Sequence, residues 1–244
     1  EENLSEFLAD DTRSIEFKSE LLYHSAQSLI KDVMDDPRAG DTVPRSKKMV
    51  ENTCKFLFEN SKAFHSLLDV VSFDYYTYTH SINVFVFSVS LAQRVLSDAN
   101  VLHEFGVGAL LHDVGKSMIG ADIINCTGKL NEEQWTIMRQ HPMYGCELLR
   151  EHGNVDELSL DIVMHHHEKL SSGDGYPHGL KGDQISPYVR IVTIADIFDA
   201  LTTQRSYIDA METFPALKLM KEEIAGDLDP EYFAAFVRMM SNSS

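Results

Sequence analysis

Residues 107–116 read VGALLHDVGK, so an apolar run ends directly in a histidine and an aspartate. Placing His112 and Asp113 beside a hydrophobic core is unfavourable unless other groups satisfy them, because burying an ionisable side chain costs free energy. A divalent cation would satisfy both side chains. The stretch therefore predicts a metal-binding site built against the core of a folded domain.

The sequence on either side of this stretch has a helical pattern almost throughout. Apolar residues recur at spacings of three and four, and the alternation typical of strands is not sustained anywhere. Polar residues that cap helix N-termini precede several of the apolar segments, namely Asn131 with Gln134, Asn154 with Glu157, and Asp229 followed by Pro230. We therefore predict an all-α domain in the form of a helical bundle.

Length and composition are those of a folded chain without a membrane span. The 244 residues are 43% hydrophobic, which is enough for one sizeable domain with a flanking segment. The most apolar stretch, VFVFSVSLA at 84–92, falls short of the roughly 18 apolar residues that a spanning helix needs. The three cysteines form no CxxC pair, which disfavours a disulfide framework and a thiolate zinc site. A reducing, cytoplasmic location is the expectation.

The charge of the chain limits its partners. Its 38 acidic and 21 basic residues give a formal net charge of −17, and no basic stripe interrupts the acidic surface. A DNA or RNA polymer is therefore disfavoured. A small anionic ligand remains compatible with this charge if a few cations are concentrated in one cleft.

The chain divides into two predicted parts. Residues 1–44 contain an amphipathic segment at 15–34, followed by the breaker-rich DDPRAGDTVP at 35–44. We predict an N-terminal accessory helical segment with a linker, and a second part at 45–244 that holds every residue of chemical interest. Because the chain begins without a methionine, the sequence leaves open whether an upstream part exists and what signal it would sense.

Histidines and aspartates outside the first stretch share its chemistry: His80 in THSINV, His141 in RQHPMYG, the MHHHEK run at 164–169, and Asp196 in IADIFDALT. Taken singly, each is explained as well by a hydrogen-bonded core residue or a buried, salt-bridged carboxylate. Together, imidazole and carboxylate without thiolate suit iron, manganese, zinc or nickel. A carboxylate can bridge two such ions, which would generate hydroxide at neutral pH and hold both oxygens of a phosphoryl transfer. Phosphodiester hydrolysis is the predicted reaction.

The chain resembles an HD-GYP domain, the subgroup of HD metal phosphohydrolases that degrade bacterial cyclic dinucleotides. The resemblance covers about residues 70–210 and rests on HDVGK at 112–116, HP at 141–142, HHEK at 166–169, GYP at 175–177 and ADIFDALTTQRSY at 195–207. It implies a metal-dependent phosphodiesterase that opens cyclic di-GMP or 3',3'-cyclic GMP-AMP to a linear dinucleotide, and on to mononucleotides. One sequence does not separate the two substrates.

The resemblance also implies roles for particular residues. It implies two divalent transition-metal ions, iron or manganese first and nickel or zinc as alternatives, held by His80, His112, Asp113, His141, His166, His167 and Asp196. Asp113 would bridge the ions and, with Lys116, form the catalytic pair. Phosphate would be held by Lys116 and Arg205, and substrate would be contacted by Gly175, Tyr176 and Pro177. This GYP loop could also contact a diguanylate cyclase.

Three departures from the family pattern bear on these roles. The segment between HHE and GYP is one residue longer than usual, so the ligand pair within the three histidines depends on register; counting from Glu168 selects His166 and His167 and leaves His165 out. Ile208 stands where family members often carry a cation. Tyr76 stands where three-metal members carry glutamate, which predicts two metals, unless Asp74 or Glu168 supplies the third site.

Two other functions remain open at this stage. A degenerate domain could act as a cyclic-dinucleotide receptor or docking module, although the intact ligand set favours an enzyme. An HD-type nucleotide phosphohydrolase would explain the metal site but not the GYP and ADIFDALT segments. The metal, the oligomeric state and the substrate preference are left undetermined by the sequence.

Overall fold

The computed structural model describes residues 3–71, 77–126, 128–152, 154–203 and 210–241. Within these ranges the regular structure is helical and contains no strand, which confirms the predicted all-α class. The α-helices are α1 (Leu4–Ala9), α2 (Ile15–Asp35), α3 (Thr42–Glu59), α4 (Ala63–Val70), α5 (Thr77–Val95), α6 (Leu102–Leu110), α7 (Ala121–Ile124), α8 (Glu132–Met138), α9 (His141–His152), α10 (Glu157–His165), α11 (Pro187–Thr202), α12 (Thr213–Glu223) and α13 (Pro230–Ser241). Short 3-10 turns lie at Ala99–Val101, Val114–Met118, Gly182–Gln184 and Ala225–Asp227.

Helix α5 lies at the centre of the bundle and contacts α2, α6, α11 and α13. Its residues 82–92 are all buried, as expected for a helix that is apolar on every side. The rings of Phe87 on α5, Phe198 on α11 and Phe236 on α13 pack edge to face, with centroids 5.1 to 6.2 Å apart. These contacts hold α5 and α11 side by side, and both helices carry predicted metal ligands.

Capping decides where several helices begin. Asn131 and Gln134 form the predicted reciprocal capping box at the start of α8, and the Asp229 carboxylate accepts hydrogen bonds from the first turn of α13. The capping role predicted for Asn154 is wrong. Asp156 caps α10 by accepting from the Leu158 N–H, while Asn154 adopts a left-handed backbone conformation (φ 58°) before the helix.

The N-terminal segment is packed into the bundle. Helix α2 contacts α3, α4 and α5 and buries an apolar stripe that includes Leu22, Leu29 and Ile30. The proposed division at residue 44 falls inside α3, because that helix begins at Thr42. The division of the chain into two parts, at 1–44 and 45–244, stays a prediction. No helix in the described ranges combines the length and apolar character needed to cross a bilayer.

Candidate metal centre

The HD pair lies in the turn that follows α6. The helix ends at Leu110, His112 and Asp113 follow after one intervening residue, and both side chains are at most 1% exposed. Gly115, two residues further on, packs directly against the start of α9, where a Cβ atom would overlap the His141 carbonyl and the Gly145 nitrogen. Glycine is therefore needed for the HD turn to approach the helix that begins with His141.

The seven predicted metal ligands come together in this region as two adjoining groups. In the first group, the Nε2 atoms of His141 and His166 lie 3.3 and 3.7 Å from Asp113 Oδ1. His167 completes this group, with its available ligand atom within 4.8 Å of those of its neighbours. His141 begins α9, whereas His166 and His167 follow directly after α10, and the two helices contact each other.

The second group consists of His80, His112 and Asp196. His80 Nε2 lies 3.1 Å from Asp196 Oδ1 and 3.5 Å from Asp113 Oδ2, and His112 Nε2 lies 3.4 Å from the same Asp113 oxygen. The two carboxylate oxygens of Asp113 therefore face different groups. This is the arrangement that a bridging carboxylate requires, and the bridging role itself stays a prediction.

Backbone carbonyls orient three of the imidazoles. His112, His141 and His166 each donate from Nδ1 to a carbonyl three residues earlier, at 2.8, 2.8 and 3.0 Å. A ring that donates from Nδ1 keeps an unprotonated Nε2, whose lone pair points into the centre. Local helix-end geometry thus sets the tautomer that metal binding needs.

His80 is oriented by side chains that the sequence reasoning missed. Its Nδ1 lies 2.6 Å from Asp199 Oδ2, Asn83 donates to Asp199 Oδ1 at 2.8 Å, and Tyr23 donates to Asn83 Oδ1 at 2.8 Å. All four residues are at most 2% exposed. This relay, Tyr23–Asn83–Asp199–His80, connects α2 to the metal centre. A signal for Asp199 was present, because it follows Asp196 by three residues and so shares its helix face.

The protonation states suit metal binding. Burial lowers the pKa of His141 to about 3 and also lowers the pKa values of His166 and His167, so all three rings are neutral. Burial disfavours the charged form of Asp113, but the Lys116 ammonium, which contacts its Oδ2, and the neighbouring His112 and His166 together outweigh that effect and hold the pKa well below its usual range.

The interaction between His80 and Asp196 shifts their pKa values in opposite directions. Burial opposes the charged form of His80, yet its hydrogen bonds with Asp196 and Asp199 raise its pKa to about 10. Burial likewise opposes ionisation of Asp196, but the hydrogen bond from His80 and the neighbouring His112 and His167 together outweigh it and lower the pKa of Asp196. The proton on His80 thus occupies a position between carboxylates where a cation is favoured.

Two buried atoms indicate that the ligand set fits a metal ion. His112 Nε2 and Asp113 Oδ1 have no hydrogen-bond partner in the described part of the chain. An unsatisfied buried polar group costs about 1–3 kcal/mol, and a divalent ion between the groups would satisfy both atoms. Imidazole nitrogen with carboxylate oxygen suits iron, manganese, nickel or zinc.

Glu168 holds the GYP loop. Its two oxygens accept hydrogen bonds from the backbone nitrogens of His178 and Leu180, at 2.7 and 2.9 Å. Gly175 packs so closely on the backbone of Glu168 that a Cβ atom would overlap it. Both oxygens of Glu168 are therefore engaged in holding the loop, and its alternative role at a third metal site stays a prediction.

The loop brings Tyr176 to the metal centre and leaves His165 outside it. The Tyr176 ring lies 4.7 Å from that of His167, centroid to centroid. His165 instead pairs with Asp161 at 2.7 Å and with His178 at 3.1 Å. The structure thus brings His166 and His167 to the group around Asp113 and leaves His165 outside it, while their role as ligands stays a prediction.

Several predicted residues lie outside the described part of the chain. These are Arg205, expected to hold phosphate, together with Ile208, Tyr76 and Asp74. Their roles stay predictions. Among the described substrate-binding residues, Lys116 is half-buried beside Asp113, and Gly175, Tyr176 and Pro177 form the loop beside His167.

Comparison with known proteins gives consistent matches. The profile of the family described as HD domain matches residues 45–232. The chain is 32% identical over 220 residues to "Cyclic di-GMP phosphodiesterase PA4108" of Pseudomonas aeruginosa, covering 89% of this chain and 53% of that protein. It is 38% identical over 180 residues to "3'3'-cGAMP-specific phosphodiesterase 3" of Vibrio cholerae, covering 73% of this chain and 38% of that protein. The chain thus spans about half, or less, of the length of these relatives.

The same fold occurs in a solved structure, "Bd1817, a HDG"Y"P protein from Bdellovibrio bacteriovorus". The match has a TM-score of 0.81 at 20% identity and covers 98% of this chain and 78% of that one. Since 98% of the chain is covered, the shared fold includes α2 as well as the helices that carry the metal ligands.

Proposed function

The chain belongs to the HD-domain family, as its resemblance to HD-GYP domains predicted, and on that premise we propose that it hydrolyses a bacterial cyclic dinucleotide in a metal-dependent reaction. The observation that carries the proposal is the double group of ligands around Asp113, whose two oxygens face separate sets of histidines. Relatives named for cyclic di-GMP and 3'3'-cGAMP support this class of substrate.

The ligand groups would hold two divalent transition-metal ions, iron or manganese, or else nickel or zinc. His141, His166 and His167 would hold one ion, His80, His112 and Asp196 the other, and Asp113 both. Such ions stabilise charge on phosphoryl oxygens and activate water at neutral pH when bound. The neutral rings of His141, His166 and His167 and the ionised Asp113 already have the form that binds metal, whereas His80 must release a proton.

The side chains around the ligands would position the phosphodiester. Lys116 lies beside Asp113 with its ammonium at the edge of the centre, where it can donate to a nonbridging phosphate oxygen. The Tyr176 ring covers His167 and forms one wall of the centre. Arg205 is proposed to hold phosphate together with Lys116, and a diguanylate cyclase docking on the GYP loop is proposed as a protein partner.

Product analysis tests the function. Purified, metal-loaded protein is incubated with cyclic di-GMP, 3',3'-cyclic GMP-AMP, cyclic di-AMP and a nucleoside triphosphate, and the products are separated by chromatography. We expect a linear dinucleotide from at least one of the first two. The Asp113→Asn variant should form no product, and the exposed Asp11→Asn variant is the matched control.

The other outcomes distinguish the alternative functions. Binding of a cyclic dinucleotide without turnover by fully metal-loaded protein would identify a receptor. Hydrolysis of the triphosphate alone would identify a nucleotide phosphohydrolase. Either result would overturn the proposed reaction.

A further inference from the structure

Helix α8 carries an exposed aromatic side chain that contributes nothing to the core. None of its residues is buried, and Trp135 and Ile137 are 44% and 43% exposed. Trp135 is the only tryptophan of the chain. A large exposed aromatic residue by itself is ordinary on a protein surface, so its significance depends on what lies beside it.

Arg139 connects Trp135 to the GYP loop. Its guanidinium carbon lies 5.9 Å from the ring centroid of Trp135 and 5.9 Å from that of Tyr176. Both contacts are within the range of a cation–π interaction. The Arg139 side chain is exposed, and no hydrogen bond or ion pair joins it to a residue that the structure describes. Its charge is therefore held in place by rings rather than neutralised by a carboxylate.

Trp135, Arg139 and Tyr176 together form an aromatic rim that is continuous with the metal centre. The Tyr176 ring lies 4.7 Å from the His167 ring, with only 33° between their planes, and 6.2 Å from the His141 ring. The rim thus begins at two histidines of the metal centre and ends at the exposed indole of Trp135.

The rim also carries the positive charge of Arg139 on a strongly acidic protein. With a net charge of −17, most of the surface repels a dinucleotide diphosphate. Arg139 and Lys116 place positive charge at the centre and at its rim, so an anion is drawn to this part of the molecule. An aromatic face beside a cation is the combination that binds single nucleotides, through base stacking and phosphate contact.

We propose that the aromatic rim is a nucleobase-binding site, in which one purine of the substrate stacks on Trp135 while Arg139 contacts the adjoining phosphate. This inference rests on the proposed function, because it assumes that the phosphodiester lies at the metal centre. Stacking on an indole accepts any purine. The rim therefore holds guanine and adenine alike, and the choice between them is made elsewhere.

The single tryptophan makes the site directly observable. Metal-loaded protein is titrated with a noncleavable phosphorothioate analogue of cyclic di-GMP, and Trp135 fluorescence is followed with correction for absorbance. We expect saturable quenching by the analogue and no change with inorganic phosphate. Arg139→Gln should weaken the quenching titration about tenfold, a change equal to about 1.4 kcal/mol.

Kinetics provide the second readout. Trp135→Leu and Arg139→Gln should raise KM about tenfold, in line with the measured contribution of stacking to affinity, while kcat and metal content change little. Trp135→Phe, which keeps a smaller aromatic face, should lie between. The matched controls are Arg13→Gln and Phe17→Leu, because Arg13 also lies over two exposed rings, Phe7 and Phe17, in the N-terminal helices.

The possible results separate this inference from the proposed function. If the wild-type protein hydrolyses the substrate but Trp135 fluorescence and the KM of both rim variants stay unchanged, the rim proposal is wrong. If no substrate is hydrolysed yet the analogue quenches Trp135 and Arg139→Gln weakens that quenching, the rim proposal holds and the hydrolase proposal fails. If the analogue does not bind and the natural cyclic dinucleotide is not hydrolysed, both proposals fail.

Discussion

Replacing Asp199 with asparagine should weaken metal binding at one of the two ligand groups. Asp199 is fully buried and accepts hydrogen bonds from His80 Nδ1 at 2.6 Å and from Asn83 Nδ2 at 2.8 Å. Asparagine keeps the size of the side chain but offers one oxygen, so its amide group must face one of the two donors. The variant loses the negative charge behind His80 and one of the two hydrogen bonds.

The expected magnitude follows from the hydrogen bond that asparagine cannot accept. A hydrogen bond to a charged group contributes about 1.5–3 kcal/mol, and removing the partner that orients a metal-ligating histidine typically costs about 10- to 100-fold in metal affinity. We expect a loss in this range for the ion held by His80, His112 and Asp196. The ion held by His141, His166 and His167 should be affected less, since Asp199 contacts none of these rings in the described structure.

The assay is metal content after equilibration with chelators of graded strength, together with activity as a function of added metal. The matched control is Asp161→Asn, because Asp161 holds His165 Nδ1 at 2.7 Å in the same way but outside the centre. Excess metal should restore much of the activity of Asp199→Asn. Wild-type metal affinity in this variant, or an equal loss in Asp161→Asn, would refute the reasoning.

The remaining predictions address the ligands and the substrate cations. Asp113→Ala should abolish turnover and lower metal content, since no neighbour replaces both of its oxygens; full activity would disprove the two-metal arrangement. Lys116→Ala and Arg205→Ala should keep the metals and weaken substrate capture, each charged hydrogen bond contributing about 1.5–3 kcal/mol; metal loss in either variant would show its role to be wrong. Elemental analysis should find two metals per chain, and three metals that persist in Tyr76→Phe would place the third ligand elsewhere. The metal-free protein should lose stability as pH falls from about 6.5 towards about 3, because the unfolded chain takes up a proton that buried His141 resists; a flat unfolding midpoint across this window would contradict the shift.

Local features of the structure could be predicted from the sequence. The capping box of Asn131 and Gln134 and the start of α13 at Pro230 depend on residues at most a few positions apart. The placement of His112 and Asp113 after an apolar run likewise indicated a buried ionisable pair. The capping prediction at Asn154 failed because two capping residues stood close together, and Asp156 took the position.

The ordered motifs predicted the seven side chains that come together at the candidate metal centre, and only the tertiary structure shows what holds them there. Asp199, Asn83 and Tyr23 come from three helices, and their hydrogen bonds join residues 116 and 60 positions apart in the chain. Helical periodicity reports which face of a helix is buried but not which distant polar group meets it there. The same holds for Arg139, whose contact with Tyr176 depends on how Glu168 holds the GYP loop. A buried polar side chain is stable only with a partner, and the packing of the helices supplies that partner.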